Sequence, residues 1–247
     1  MAQTRIPINY PTNTGLLVIP DYRTLITTNP LFKNGWNIDD LSSLTLVDGK
    51  ASQINSWKPG GNPLLQANAA KRATLVYDDV LRRNVLQFAK ADIASYTAQT
   101  DVFDPNAVFT FVSVVKFDDL SGSQQVCGQY NTGNNRAQIQ TASNSLRLIY
   151  GDNFVGVNIV AGQYYRVIAS IGTDYSPKIK VGNTLVLGTP TVNRPSSAVI
   201  NKFEMGGPII AFGGRQALNL WYNADLLAAG NAASLATLEG YLTQRGM

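Results

Sequence analysis

Val108-Phe109-Thr110-Phe111-Val112-Ser113-Val114-Val115-Lys116-Phe117 decides the architecture. Successive side chains of a strand point to opposite faces. Here the apolar residues fall on both. Such a strand is covered on both sides, at the centre of a sheet. It runs into Asp118-Asp119 and Ser121-Gly122-Ser123, two turn signals.

Outward from this strand the pattern repeats. Downstream, strands are predicted at 124–129, 136–141, 145–150, 155–160, 163–172, 177–182, 184–188, 198–204, 208–213 and 216–222. Upstream they are predicted at 84–89, 73–77, 52–57 and 43–47, with one more at 15–19. Between them lie Asp48-Gly49, Pro59-Gly60-Gly61-Asn62-Pro63, Asn131-Thr132-Gly133-Asn134-Asn135, Gly151-Asp152-Asn153 and Gly182-Asn183. Gly, Asn and Asp tolerate the positive φ of tight hairpins. So many short strands predict an all-β fold, an antiparallel two-sheet sandwich of the jelly-roll kind. One helix is predicted over 232–244. Asn231 is placed to cap it, Leu235, Leu238 and Leu242 form its apolar stripe, and Gly246 follows its end.

Composition agrees. Of 247 residues, 21 are Gly, 11 Pro, 11 Tyr and 9 Phe, while Glu204 and Glu239 are the only glutamates. A helical protein uses far more of that good helix former. Twenty Lys and Arg stand against 16 Asp and Glu, for a net charge of +4. The basic residues are dispersed, which argues against a nucleic-acid partner. No apolar run reaches membrane-span length, and no signal peptide is seen at the N-terminus. Cys127 is the single cysteine, so no disulfide can form within the chain, and manufacture in a reducing cytoplasm is expected.

Residues 1–42 read differently from the rest. Pro7, Pro11, Pro20 and Pro30 break them, and proline lacks a ladder donor. Two uses fit: an edge segment of the same domain, or an extended assembly arm. The arm would present Arg5, Ile6, Ile8, Tyr10, Leu16, Val18, Tyr22, Arg23 and Leu25 to a neighbouring chain. The predicted division is therefore an arm at 1–42 and a sandwich at 43–247.

The chain lacks histidine altogether. That removes serine–histidine and cysteine–histidine catalysis as usually built, and leaves Cys127 without a zinc partner. The two glutamates are 35 positions apart, with no clustered pair of the kind glycoside hydrolysis uses. No enzymatic activity is expected. Asp39-Asp40, Asp78-Asp79 and Asp118-Asp119 suit turns, and also oxygen ligation of calcium. No cofactor is expected, with calcium the one ion left open.

Sugar recognition needs an aromatic platform beside planar hydrogen-bonding groups. The richest cluster is Tyr130, Asn131, Asn134, Asn135 and Arg136, with Tyr150, Asp152, Asn153 and Phe154. These occupy two turns expected at one end of the sandwich. Trp57 and Trp221 are expected in the core. Trp36 either covers the sheet or faces a partner.

Several spaced features resemble a concanavalin A-like lectin/glucanase fold, in its LamG-like jelly-roll branch. Ile54-Asn55-Ser56-Trp57, Gly60-Gly61 and Gln66 follow that order. So do Leu75-Val76-Tyr77, Val85-Leu86-Gln87-Phe88, Asp92-Ile93, the strand at 108–117, Met205-Gly206-Gly207 or Gly213-Gly214, Leu218-Asn219-Leu220-Trp221-Tyr222-Asn223 and Tyr241-Leu242. The match spans roughly 43–247. It departs where Asn219 stands at a position that is often Glu. Free-standing domains of this kind with a short arm resemble virion proteins of tailed bacteriophages. The resemblance implies a structural tail, baseplate or capsid-surface protein, partnered by other virion proteins and by itself, a trimer being common in such appendages. The alternative is a glycan-binding, receptor-recognising module.

Overall fold

The structure is a computed structural model that describes residues 21–98 and 103–247. Its strands are β1 (Phe32–Asn37), β2 (Leu44–Val47), β3 (Lys50–Ile54), β4 (Leu64–Leu65), β5 (Thr74–Asp78) and β6 (Arg83–Phe88). The chain continues through β7 (Ser95–Ala98), β8 (Phe109–Phe117), β9 (Gln124–Tyr130), β10 (Arg136–Ala142), β11 (Ser145–Tyr150) and β12 (Asn153–Asn158). Then follow β13 (Tyr164–Ile171), β14 (Pro177–Val181), β15 (Thr184–Leu187), β16 (Glu204–Gly206) and β17 (Gly214–Tyr222). Helices α1 (Tyr22–Thr27) and α2 (Ala232–Gln244) complete it.

Every pairing is antiparallel. The ladder runs without a break through β15, β14, β13, β8, β17, β6, β5, β3, β4, β7, β16, β9, β10, β11 and β12. Strand β1 adds to β17, and β2 to β3. The two ends then meet, since β12 packs against β14 and β15. The expectation of two separate sheets is corrected to one ladder rolled almost into a barrel. The link is the short β3–β5 contact at Lys50 and Thr74, which no local pattern announces.

Strand β8 sits at the centre, between β13 and β17. Phe109, Phe111 and Phe117 point into the roll, where they meet Trp36, Phe203, Phe212 and Trp221. Val112 and Val114 point the other way, onto Leu218, Leu220, Leu238, Tyr241 and Leu242. This double burial is what the apolar run at 108–117 predicts. Each such side chain contributes about 1.5–3 kcal/mol of transfer free energy.

Ser113 interrupts the interior face and donates to the Asn219 side chain. Asn219 Nδ2 donates to Gln216 Oε1 at 2.8 Å, and Gln216 Nε2 to the Val126 carbonyl at 3.0 Å. Amides thus tie β8 and β17 to β9 across the core, with Asn219 in the middle. Cys127 lies beside them, fully buried, and burial pushes its thiol up to about 12.

The predicted helix matches α2. Leu238 and Leu242 are buried and Leu235 is half-buried. Asn231 makes no side-chain cap; its Nδ2 donates to the Asp225 carbonyl instead. The predicted strand at 208–213 is a loop, which opens on Pro208, a residue without a ladder donor. Of that at 198–204 only Glu204 is in a strand, the first residue of β16. Strands β1, β4 and β7 were not predicted.

The boundary at 42/43 does not divide the packing. Strand β1 pairs with β17 from Phe32 to Asn37, and α1 packs on α2. Ile26, Phe32 and Trp36 are buried, Trp36 stacking on Phe203 at 4.6 Å. Gly35 lets β1 approach β17, because a Cβ there would meet Leu220 Cδ2 at 2.6 Å. Of the arm residues, Tyr22 packs half-buried at the helix layer, Arg23 pairs with Asp40 at 3.0 Å, and Leu25 is exposed. Arg5, Ile6, Ile8, Tyr10, Leu16, Val18 and the predicted strand at 15–19 lie outside the described residues. Among those described, no helix is long and apolar enough to cross a membrane.

Candidate functional site

The two turns predicted to share one end do so. Strands β10 and β11 pair with Ala137 opposite Tyr150. This brings the β9–β10 turn beside the β11–β12 turn. Arg136 Nε donates to the Gly151 carbonyl and the Gly151 N–H to the Arg136 carbonyl, both at 2.9 Å.

Most of the nine predicted side chains build this end. Asn135 Oδ1 accepts from the Ser196 N–H at 3.0 Å. Asp152 accepts from Asn193 Nδ2 at 2.5 Å, and Asn153 Nδ2 donates to the Thr189 carbonyl at 2.7 Å. The segment 189–196 is thereby strapped over the turns. Tyr150 is corrected from platform to core: it is fully buried and its hydroxyl donates to the Pro105 carbonyl at 2.6 Å. Asn131 and Asn134 are exposed at the tip and Tyr130 is half-buried. Of the nine, Phe154 is the one exposed aromatic side chain, at 51%.

Phe154 belongs to a wider surface, the outer face of β9–β12 with β16. Ala137 and Ile139 of β10 point into the roll, so Gln138 and Gln140 point out. Gln138 lies opposite Gly128 and Ile149, and Gln140 opposite Gln125 and Arg147. Glu204 pairs opposite Gly128. Gln138 Nε2 donates to Gln140 Oε1 at 2.6 Å, and Gln125 Nε2 to Glu204 Oε2 at 3.2 Å. The Arg147 guanidinium lies over one side of the Phe154 ring, 4.6 Å from its centroid, and the ring remains 51% exposed.

This face carries unmet hydrogen bonds. Gln125 Oε1, Gln138 Oε1 and Arg147 Nε are buried and without a partner. A buried orphan of this kind costs about 1–3 kcal/mol, and native proteins hold few. Two acceptors and a donor, on adjacent strands near an aromatic ring, are of the kind that bind hydroxyl groups, although the Gln125 and Gln138 side chains are themselves fully buried. Burial pushes the Glu204 carboxyl up to about 7, against lowering by the Gln125 and Gln129 hydrogen bonds and the Lys202 charge. Near neutral pH it exchanges a proton where it stands.

Sequence reading missed Gln125, Gln138, Gln140, Arg147 and Glu204. The signal for two of them is local: in Arg136-Ala137-Gln138-Ile139-Gln140 the amides alternate with core residues.

The acidic pairs are engaged elsewhere. Asp39 holds Arg83 at 2.9 Å and Arg245 at 2.7 Å. Asp78 is fully buried. That burial raises its pKa, yet the Leu81 N–H, the Tyr164 hydroxyl and Arg215 hold it down at about 2. Asp119 accepts from Ser121 and Lys90. Among the described residues no three metal-ligating side chains cluster.

The sequence matches no family model and no curated protein. Solved structures share its fold. Trypanosoma rangeli sialidase, in complex with the inhibitor DANA, aligns with a TM-score of 0.57 at 17% identity, over 83% of this chain and 32% of that one. Domain 4 of AbnA, a GH43 extracellular arabinanase from Geobacillus stearothermophilus, in complex with arabinotriose, aligns with a TM-score of 0.54 at 12% identity, over 83% of this chain and 98% of that one. A mutant GH54 α-L-arabinofuranosidase, soaked with 4-nitrophenyl α-L-arabinofuranoside, aligns with a TM-score of 0.54 at 12% identity, over 77% and 50%. The chain spans about a third of the sialidase's length.

At these identities the likeness shows the fold alone, and it corrects two expectations. The structural virion protein has no support, because the neighbours are glycoside hydrolases or their sugar-bound domains. The expectation of no enzymatic activity also falls, because this fold occurs within such enzymes. It rested on missing histidine and on the lack of a carboxylate pair clustered in the sequence, which glycoside hydrolysis uses. What the comparisons establish is a β-rich roll of the type found in carbohydrate-binding and carbohydrate-cleaving proteins.

Proposed function

We propose that this chain is a carbohydrate-binding module, and that the outer face of β9–β12 receives the glycan. One observation carries this reading: the unmet carbonyls of Gln125 and Gln138 and the unmet Arg147 Nε–H lie on the face that ends in the open Phe154 ring. Sugar rings pack a C–H face on an aromatic ring while planar amides and guanidinium groups bind their hydroxyls. The tip residues Tyr130, Asn131 and Asn134 extend the same end toward a longer chain. The LamG-like order of Trp57, Gly60-Gly61 and Gln66 fits a lectin-like module, as does the arabinotriose bound to the AbnA domain.

Glu204 favours a second reading, in which the face also acts on the glycosidic bond. A carboxyl held near 7 can give a proton to a leaving oxygen at neutral pH. Hydrolysis needs a second carboxyl group across the bond. Affinity electrophoresis through gels containing arabinan, galactan or xylan tests the binding. The chain should be retarded by at least one polymer, and a Gln138→Ala/Phe154→Ala variant by none. Reducing-sugar release that disappears in Glu204→Gln would establish the second reading.

A further inference from the structure

A separate cleft of about 440 Å³ opens on the helix side of the roll, where the start of α1, the turn after β1 and the C-terminal end of α2 meet. That volume lies within the roughly 300–1,000 Å³ of small-molecule sites. Its walls include Asn37, Asp39, Asp40, Trp57, Tyr241 and Arg245.

Three of these residues carry buried polar atoms whose partners are poorly aligned: Trp57 Nε1 reaches toward Asp40, Arg245 Nε lies beside the Tyr241 hydroxyl, and none makes a well-formed hydrogen bond. The Trp57 and Tyr241 side chains are 7% and 3% exposed, and their rings meet edge to face at 5.5 Å. Arg23 lies over the Trp57 ring at 5.2 Å and pairs with Asp40 at 3.0 Å. Burial pushes the Tyr241 hydroxyl up to about 12, so it stays protonated and able to donate. The three poorly satisfied groups are thus all donors at neutral pH, and one cleft gathers them.

The surrounding charge says what kind of acceptor suits them. Asp21, Asp39 and Asp40 line the cleft against Arg23 and Arg245. Both arginines are already paired, Arg23 with Asp40 and Arg245 with Asp39 at 2.7 Å. Hydrogen bonds from Ser42, the largest influence, hold Asp40 below its ordinary value and so ionised. A carboxylate or phosphate entering here meets three aspartates and no unpaired cation among the described residues of the wall. A neutral polyol meets no such repulsion. Its oxygens accept from the indole, phenol and guanidinium donors, while its hydroxyls donate to Asp40 and Asn37.

We propose that this cleft is a binding site for one neutral sugar unit, distinct from the Phe154 face. It stands on its own observations, since the two share no residue.

The test uses the full chain labelled with nitrogen-15, with the three indole N–H resonances as readout. The probes are L-arabinose, D-galactose and D-glucose, and as anionic controls N-acetylneuraminic acid and D-glucuronate. A neutral sugar should shift the Trp57 resonance saturably and leave that of Trp36, already bonded to the Asn62 carbonyl at 3.1 Å. Tyr241→Phe, which keeps the ring, should weaken the response about fivefold. Asp40→Asn should weaken it as well. Phe154→Ala should leave it unchanged, which separates this site from the glycan face. A Trp57 resonance unmoved by every neutral sugar would overturn the proposal. So would tighter binding of the anionic sugars, or equal affinity in both cleft variants.

Discussion

Arg147 and Phe154 occupy neighbouring strands, and the guanidinium carbon lies 4.6 Å from the ring centroid. Strands β11 and β12 set this up: Arg147 stands opposite Gly156, and Phe154 opposite Ile149. Gly156 clears the way, since a Cβ there would meet Arg147 Cγ at 2.8 Å. One cation and one open ring are therefore presented together.

Removing the ring should remove binding without harming the fold. Phe154 is half exposed, and substitutions at such positions usually stay within about 0.5 kcal/mol. Phe154→Ala should keep its melting temperature within a few degrees of the parent chain and bind glycan about tenfold more weakly. Gly156→Ala should weaken binding too, by displacing Arg147. Thermal melts with titration calorimetry check both.

Gln138 separates a binding role from a structural one. Its carbonyl is buried without a donor, so the fold alone is not served by it. Its amide nitrogen donates to Gln140 Oε1, and replacing both partners of a buried hydrogen bond by apolar groups of similar shape is close to neutral or stabilising. Gln138→Leu/Gln140→Leu should unfold in urea at a midpoint equal to or above the parent's while losing glycan affinity. A midpoint lowered by the equivalent of about 2 kcal/mol would mean that the amides serve packing.

Glu204 gives the stability a pH dependence. Its folded pKa, about 7, lies above the ordinary 4.5 of a glutamate. A raised carboxyl favours the folded state fully below the unfolded pKa, and that favour is lost as pH rises through the folded one. The parent should lose on the order of 3 kcal/mol, as an upper figure, between about pH 4.5 and 7 from this group. Glu204→Gln should lack that slope. Urea unfolding at several pH values measures the difference.

Leu238 anchors α2 and is fully buried against the layer of Val112, Leu218 and Leu220. Leu238→Ala should cost on the order of 2–5 kcal/mol. A loss near zero in equilibrium unfolding would mean that the helix does not depend on this contact.

What the sequence discloses follows the range of its interactions. Strand β8 and helix α2 are legible because their periodicity is local. Both ends of the hairpin cluster are legible because Asn131-Thr132-Gly133-Asn134-Asn135 and Gly151-Asp152-Asn153 demand turns. Strand β1 is hidden, because Asn34-Gly35 reads as a turn until β17 is known to need a glycine across from Leu220. The Gln125–Glu204 bond is hidden too, since it depends on the long-range pairing of β9 with β16. Tyr150 misleads: an aromatic just before a turn looks like a platform, but β11 alternation turns it into the core.

The central claim is that the β9–β12 face binds glycan. Its most direct test is an array of neutral and acidic oligosaccharides, probed in parallel with the parent chain and the Gln138→Ala/Phe154→Ala variant. The account predicts that the parent binds at least one glycan class and that the folded variant loses that signal. A parent that binds nothing, or a variant that binds as the parent does, would contradict it.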